Sequence, residues 1–214
     1  MRKFFGLLMG CLMLLSVVCV FGENVAVAGK SEIFVTSVKK MPAKTGEKAT
    51  IVLNDCLEVR DILVSKADGK VNLKYPTYVS KAGKEYPQLE VISEQAKMEI
   101  EKAIATGKPS EKASKTLTFK VSKFSKMRKS TSSMKAFVSV DFNNAVRVEC
   151  KVMESKKGPW ISWPSVKDEK TGKYLKQILL INANVKNVVE NSLLKKYKDS
   201  GEEQSEEGSV TEEK

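Results

Sequence analysis

Residues 136–152 read AFVSVDFNNAVRVECKV. Ala136, Val138, Val140 and Phe142 alternate with Phe137, Ser139 and Asp141. Beyond Asn143-Asn144, Val146, Val148, Cys150 and Val152 alternate with Arg147, Glu149 and Lys151. A period of two on both sides of an Asn-Asn pair predicts an antiparallel hairpin with one buried face. Working outward, residues 118–127 predict a preceding strand, and residues 160–163 a following one that Pro164 stops. Past a polar loop through Gly172, residues 176–181 predict a further short strand. Residues 183–197 then predict a helix, because Asn182 suits an N-cap and Val185, Val188, Val189, Ser192 and Leu193 share one face.

The same plan occurs earlier in the chain. Val35 matches Val121, Met41 matches Met127, Lys48-Ala49 matches Lys135-Ala136, and Val64 matches Val152. The ladder continues through Pro76 and Pro164, Gly83-Lys84 and Gly172-Lys173, and Ile100-Glu101 and Val189-Glu190. Its spacing grows only from 86 residues at Val35 to 89 at Ile100, as loop insertions between fixed elements would produce. In the first copy, strands are expected at 34–41, 49–54, 57–64 and 71–75. The third changes phase between Val59 and Ile62, which predicts a bulge. Ser93 caps a helix whose buried face is Ala96, Ile100, Ala103 and Ile104. The expected architecture is therefore α+β: two tandem copies of a small antiparallel sheet with a C-terminal helix, packed as an intramolecular pseudo-dimer. The copies span 31–107 and 118–198, joined by a Gly-, Pro-, Ser- and Lys-rich linker at 108–117.

The N-terminus has the order of a secretory signal: Arg2 and Lys3, an apolar stretch from Gly6 to Phe21, and Ala26-Val27-Ala28 before Gly29. Cleavage between Ala28 and Gly29, removing residues 1–28, is the expectation, and an uncleaved anchor is the rival. The expected location is outside the cytoplasm, in the periplasm, the cell envelope or the medium, with no stable membrane span after cleavage. The net charge of the chain is +11. That average hides an acidic, Ser- and Gly-rich tail at 199–214, with seven acids against Lys214, which is expected to stay unfolded. The body is accordingly more basic than the average. It favours polyanionic partners, unless its lysines serve only solvation. After cleavage, Cys56 and Cys150 remain at non-equivalent positions, as a bridge between copies or, preferably, as two free buried thiols.

Val59-Arg60-Asp61-Ile62-Leu63-Val64 resembles the V-H-D-I-R-V strand of the septation protein SpoVG family, with Arg147-Val148-Glu149-Cys150-Lys151-Val152 as its counterpart. Gly158-Pro159-Trp160-Ile161-Ser162-Trp163-Pro164-Ser165 is similar to the family's G-L-F-V-A-M-P-S, and residues 70–77 echo it more faintly. Thr171-Gly172-Lys173-Tyr174 and the helix from Asn182 follow in the family's order. The resemblance implies an α+β fold with an antiparallel sheet and a C-terminal helix. It also implies homodimerisation, here supplied within one chain, and a role in division septum formation and sporulation. Members bind nucleic acid through basic residues in and beside an S-K-R segment. Its positions here read Ser165-Val166-Lys167 and Thr77-Tyr78-Val79, so Lys167 is the matching basic residue. Lys170, Lys173 and Lys176 in one copy and Lys81 and Lys84 in the other could supply further charge. Members act in the cytoplasm, so the export signal is a departure.

The chain has no histidine, which excludes His-based triads and removes the commonest zinc ligand. It shows no Gly-rich phosphate loop and no nucleophile elbow. Asp61 and Glu149 fall at matching strand positions, where an ion pair is a simpler role than acid/base catalysis. No enzyme, metal or cofactor is expected. Trp160 and Trp163 are candidate stacking platforms or, preferably, packing residues. The expected function is binding, with two rivals. A nucleic-acid regulator would use lysine contacts to phosphate. An envelope adaptor would recognise an unidentified protein or an anionic wall polymer.

Overall fold

The computed structural model describes residues 32–43, 46–67, 70–80, 82–127 and 132–206. The expected signal with its cleavage point at Ala28 and Gly29, Lys81, and the end of the acidic tail all lie outside the described residues.

The first half contains β1 (Val35–Pro42), β2 (Glu47–Leu53), β3 (Leu57–Ala67), β4 (Lys70–Lys74), β5 (Thr77–Val79), β6 (Glu85–Pro87), β7 (Leu89–Val91) and α1 (Glu94–Thr106). The second half runs in the same order: β8 (Phe119–Lys126), β9 (Met134–Phe142), β10 (Val146–Ser155), β11 (Gly158–Ser162), β12 (Ser165–Lys167), β13 (Tyr174–Lys176), β14 (Ile178–Leu180) and α2 (Ala183–Glu206). Two mixed layers result, each an antiparallel sheet with a helix against it.

Local chemistry explains most of these elements. Asn143 and Asn144 both take left-handed backbone conformations, as do Asn54 and Asp55 in the matching turn of the first half. Asn and Asp tolerate that region better than other side chains. Each turn closes in the same way, by Ala145 N–H on Phe142 O and by Cys56 N–H on Leu53 O. Gly46 is required between β1 and β2, since at φ 87° an added Cβ would stand 2.8 Å from Val64 O. The expected bulge is present: Ala49 faces Ile62 and Ile51 faces Val59, so Arg60 and Asp61 together oppose Thr50. Ser93 caps α1 through Ala96 N–H, and Ala96, Ile100, Ala103 and Ile104 form its buried face. Asn182 accepts from Asn184 and Val185 N–H at the start of α2. Such caps contribute about 1 kcal/mol each.

The halves do not form separate sheets. β14 of the second half lies on β3 of the first, with Ile178 opposite Val59 and Leu180 opposite Leu57. Reciprocally, β7 of the first half lies on β10 of the second, with Leu89 opposite Val148 and Val91 opposite Val146. The flanking backbone bonds are matched too: Arg60 N–H donates to Gln177 O, and Glu149 N–H to Gln88 O. The boundaries 31–107 and 118–198 therefore mark repeats of sequence, while each sheet draws a strand from both. Asn54 and Asn143 complete the crossing. Asn54 Oδ1 accepts from Phe34 N–H at 2.9 Å while its Nδ2 donates to Thr116 O at 2.8 Å. Asn143 Oδ1 accepts from Thr118 N–H at 2.7 Å while its Nδ2 donates to Glu32 O at 2.9 Å.

One buried core runs through both halves, from Ile33, Ile51 and Ile62 to Val138, Phe142 and Leu193. Cys56 and Cys150 are buried within it as free thiols. The linker is laid along the first sheet, with Ser110 N–H on Val35 O and Leu117 buried. The second helix continues past Tyr197 to Glu206, so the acidic segment from Asp199 begins as helix, correcting the expectation that it is unfolded throughout. Lys126 on β8 holds the helix near this point, its ammonium 5.4 Å from the Tyr197 ring and donating to Ser200 O.

Candidate functional site

Four of the anticipated lysines share one hairpin. In β12–β13, Ser165 faces Lys176, Val166 faces Leu175, and Lys167 faces Tyr174. Opposed residues in an antiparallel pair project to the same side, so Ser165, Lys167, Tyr174 and Lys176 occupy one face and Val166 and Leu175 the other. Lys170 and Lys173 stand in the connecting loop, which Asp168 organises by accepting from Lys170 and Thr171 N–H at 2.9 and 2.8 Å. Those bonds hold the Asp168 carboxyl below its usual range. All four lysines are exposed and make no ion pair among the described residues. Tyr174, 71% exposed between Lys167 and Lys176, was not anticipated. Its signal was present as an aromatic two residues before Lys176 on a short strand, which places both on one face.

Lys84 does not join that group. It sits on β5–β6, where its ammonium is 5.2 Å from the Tyr86 ring. Of the two tryptophans, Trp160 on β11 is half-exposed. Trp163 is not a stacking platform: it is buried, its ring lies 6.5 Å from that of Phe142, and its Nε1 donates to Glu190 Oε1 on α2 at 2.7 Å. The indole is consumed in fixing α2 to the second sheet. Asp61 forms an ion pair with Lys48 at 2.9 Å, the simpler of the two roles expected for it.

A second site was not foreseen from sequence. The β5–β6 hairpin of the first half stands beside the solvent-side face of the second sheet, enclosing a groove of about 810 Å³. That falls in the range of roughly 300–1,000 Å³ common to small-ligand sites. Tyr78 and Tyr86 oppose one another across the hairpin, with ring centroids 6.4 Å apart, and Phe137 on β9 contributes a third ring. The Lys151 ammonium lies 4.6 Å from the Tyr78 ring and 6.0 Å from that of Phe137. Burial lowers the Lys151 pKa.

A charged network lies at the groove floor. Arg147 donates to both oxygens of Asp141, at 2.7 and 3.0 Å, and Ser122 Oγ donates to Oδ1 at 2.7 Å. Burial opposes ionisation of Asp141, but the bonds from Arg147 and Ser122 outweigh it and hold the carboxyl below the usual range. Arg147 also reaches Glu90 on the exchanged β7 at 3.8 Å. Gln88, at the base of the hairpin, lines the groove and is 8% exposed. Its Oε1 is buried without a hydrogen-bond partner among the described residues. An orphaned acceptor of this kind costs about 1–3 kcal/mol. Among the described residues, no three His, Cys, Asp or Glu side chains converge as a metal site.

The family model SpoVG matches residues 117–199, which covers the second half from Leu117 into α2. No curated protein matches the chain.

Proposed function

Because residues 117–199 form a SpoVG-family domain, and that family is associated with septation and sporulation, we propose that this chain is an exported, non-enzymatic septation protein that acts by binding an anionic polymer of the cell envelope. The observation that carries this is the lysine-bearing face of β12–β13. Lys167 and Lys176 flank Tyr174, with Lys170 and Lys173 at the tip, and Asp168 is engaged by the loop backbone. Lysine ammonium groups act as point charges, so they read the charge density of a polyanion more than its shape. Export rests on Arg2, Lys3, the apolar stretch and Ala26-Val27-Ala28.

Tyr174 favours a second reading, in which the same face binds single-stranded nucleic acid by stacking a base between phosphate-contacting lysines. Two measurements separate them. Cells of the native host are fractionated and the mature N-terminus is read by mass spectrometry; a start at Gly29 outside the cytoplasm supports export, and an intact Met1 in the cytosol removes it. Binding to a glycerol-phosphate polymer and to a single-stranded oligonucleotide is then followed against salt. Replacing Lys167, Lys170, Lys173 and Lys176 by Gln should flatten the slope for the oligonucleotide by roughly 3 if all four contact phosphate. Tyr174→Ser should weaken oligonucleotide binding by roughly 5-fold to 100-fold. It should leave the polymer unaffected if the envelope reading holds.

A further inference from the structure

We propose that the groove between the β5–β6 hairpin and the second sheet is a separate binding site for a short neutral saccharide. The ring faces come first. Tyr78, Tyr86 and Phe137 are each between 43% and 45% exposed, and all three line the groove. Aromatic faces of this kind pack against the C–H face of a flat, partly apolar ligand.

The polar lining then narrows the class. Glu90 and Glu149 stand in it with Lys123 and Lys151, and Arg147 is already engaged by Asp141 and Glu90. A polyanion would meet the two carboxylates and a polycation the two ammonium groups, so the balance suits a neutral ligand. Ser122 and Ser139 add polar groups to the walls, and Gln88 adds its unpartnered acceptor. A polyhydroxyl ring presents hydroxyl donors and acceptors at its rim and C–H groups on its faces, which matches this mixture. A peptide adding as a strand is disfavoured, because β9 at the floor is already paired on both sides by β8 and β10. The site is distinct from the lysine face of β12–β13 and stands whether or not that face binds a polyanion.

The test titrates the full chain, purified from its host, with cellotetraose and chitotetraose by calorimetry, at low and high salt. Saturable binding that is indifferent to salt is expected for at least one of them. Tyr78→Ala and Phe137→Ala, both at partly exposed positions, should each weaken it by roughly 3-fold to 10-fold. Gln88→Leu should weaken it about 5-fold while leaving the melting temperature unchanged or raised, since it removes an orphaned acceptor. A merely structural Gln88 would lower the melting temperature instead. Replacing Lys167, Lys170, Lys173 and Lys176 by Gln should change nothing. Absence of saturable binding to both saccharides would overturn the proposal. So would binding that survives both aromatic substitutions, or an anionic oligomer or acidic peptide that displaces the sugar through the same residues.

Discussion

The hairpins β5–β6 and β12–β13 occupy equivalent places in the two halves, and their opposite faces carry the chemistry. On β5–β6 the central cross-strand pair is Tyr78 with Tyr86, and it lines the groove on the second sheet. On β12–β13 the same pair is Val166 with Leu175. The flanking pair reverses the contrast: Lys167 with Tyr174 on β12–β13 corresponds to Val79 with Glu85 on β5–β6. Glu85 is moreover engaged by Lys74 at 3.1 Å. Backbone pairing constrains register but not which face bears function, so two copies of one hairpin can diverge by exchanging faces.

The largest expected effect concerns what the halves share. Ile178→Ala and Leu89→Ala remove equivalent buried side chains from the two exchanged strands and should each cost about 2–5 kcal/mol. If the reciprocal pairing makes one cooperative unit, either variant gives a single denaturation transition at lower denaturant. Two separated transitions would break the equivalence. Asn54→Ala and Asn143→Ala come next. Asn54 is fully buried and Asn143 half-buried, so the first should cost about 2–3 kcal/mol and the second about 1, measured by urea unfolding.

A pH titration sharpens the contrast between the sheets. The Asp141 carboxyl is lowered in the folded chain, so its contribution is present above the unfolded carboxylate pKa of about 4 and is lost as pH falls through the lower folded value. Asp141→Asn, in the second sheet, should flatten the acid limb of stability, measured by urea unfolding across pH. Trp163→Phe removes the bond to Glu190 and should cost about 1 kcal/mol by thermal unfolding. The smallest effect compares single lysines. Lys167→Gln should lower the salt slope of polyanion binding by about 1. Lys84→Gln should lower it less, because its ammonium is held against Tyr86.

Legibility followed the range of the forces involved. The bulge at Arg60-Asp61, the Asn-Asn turn and the buried face of α1 were all readable, because each is set by neighbours within a few residues. Four lysines of the basic face were readable by their spacing near the matched S-K-R position. Tyr174 lies in a stretch that resembles a family motif, and only the strand register shows it as a member of the lysine face. Packing, the preferred reading of the tryptophans, holds for Trp163, but its bond to Glu190 was not legible, since nothing near it in sequence announces a partner on α2. The groove was not legible, because its walls come from β5–β6 and from β9–β10, far apart in the chain.

The sequence by itself determined the α+β class, the repeated order of elements, the caps and turns, and the concentration of lysines after Pro164. Local periodicity and local hydrogen bonding suffice for those. Only the tertiary structure decided that the three-residue strands Leu89–Val91 and Ile178–Leu180 cross to the opposite half, that one tryptophan is buried, and that a tyrosine hairpin faces a foreign sheet. Strands so short carry too little pattern to name their partner. The choice is made by long-range pairing in matching register, which becomes favourable once both halves are present to reciprocate it.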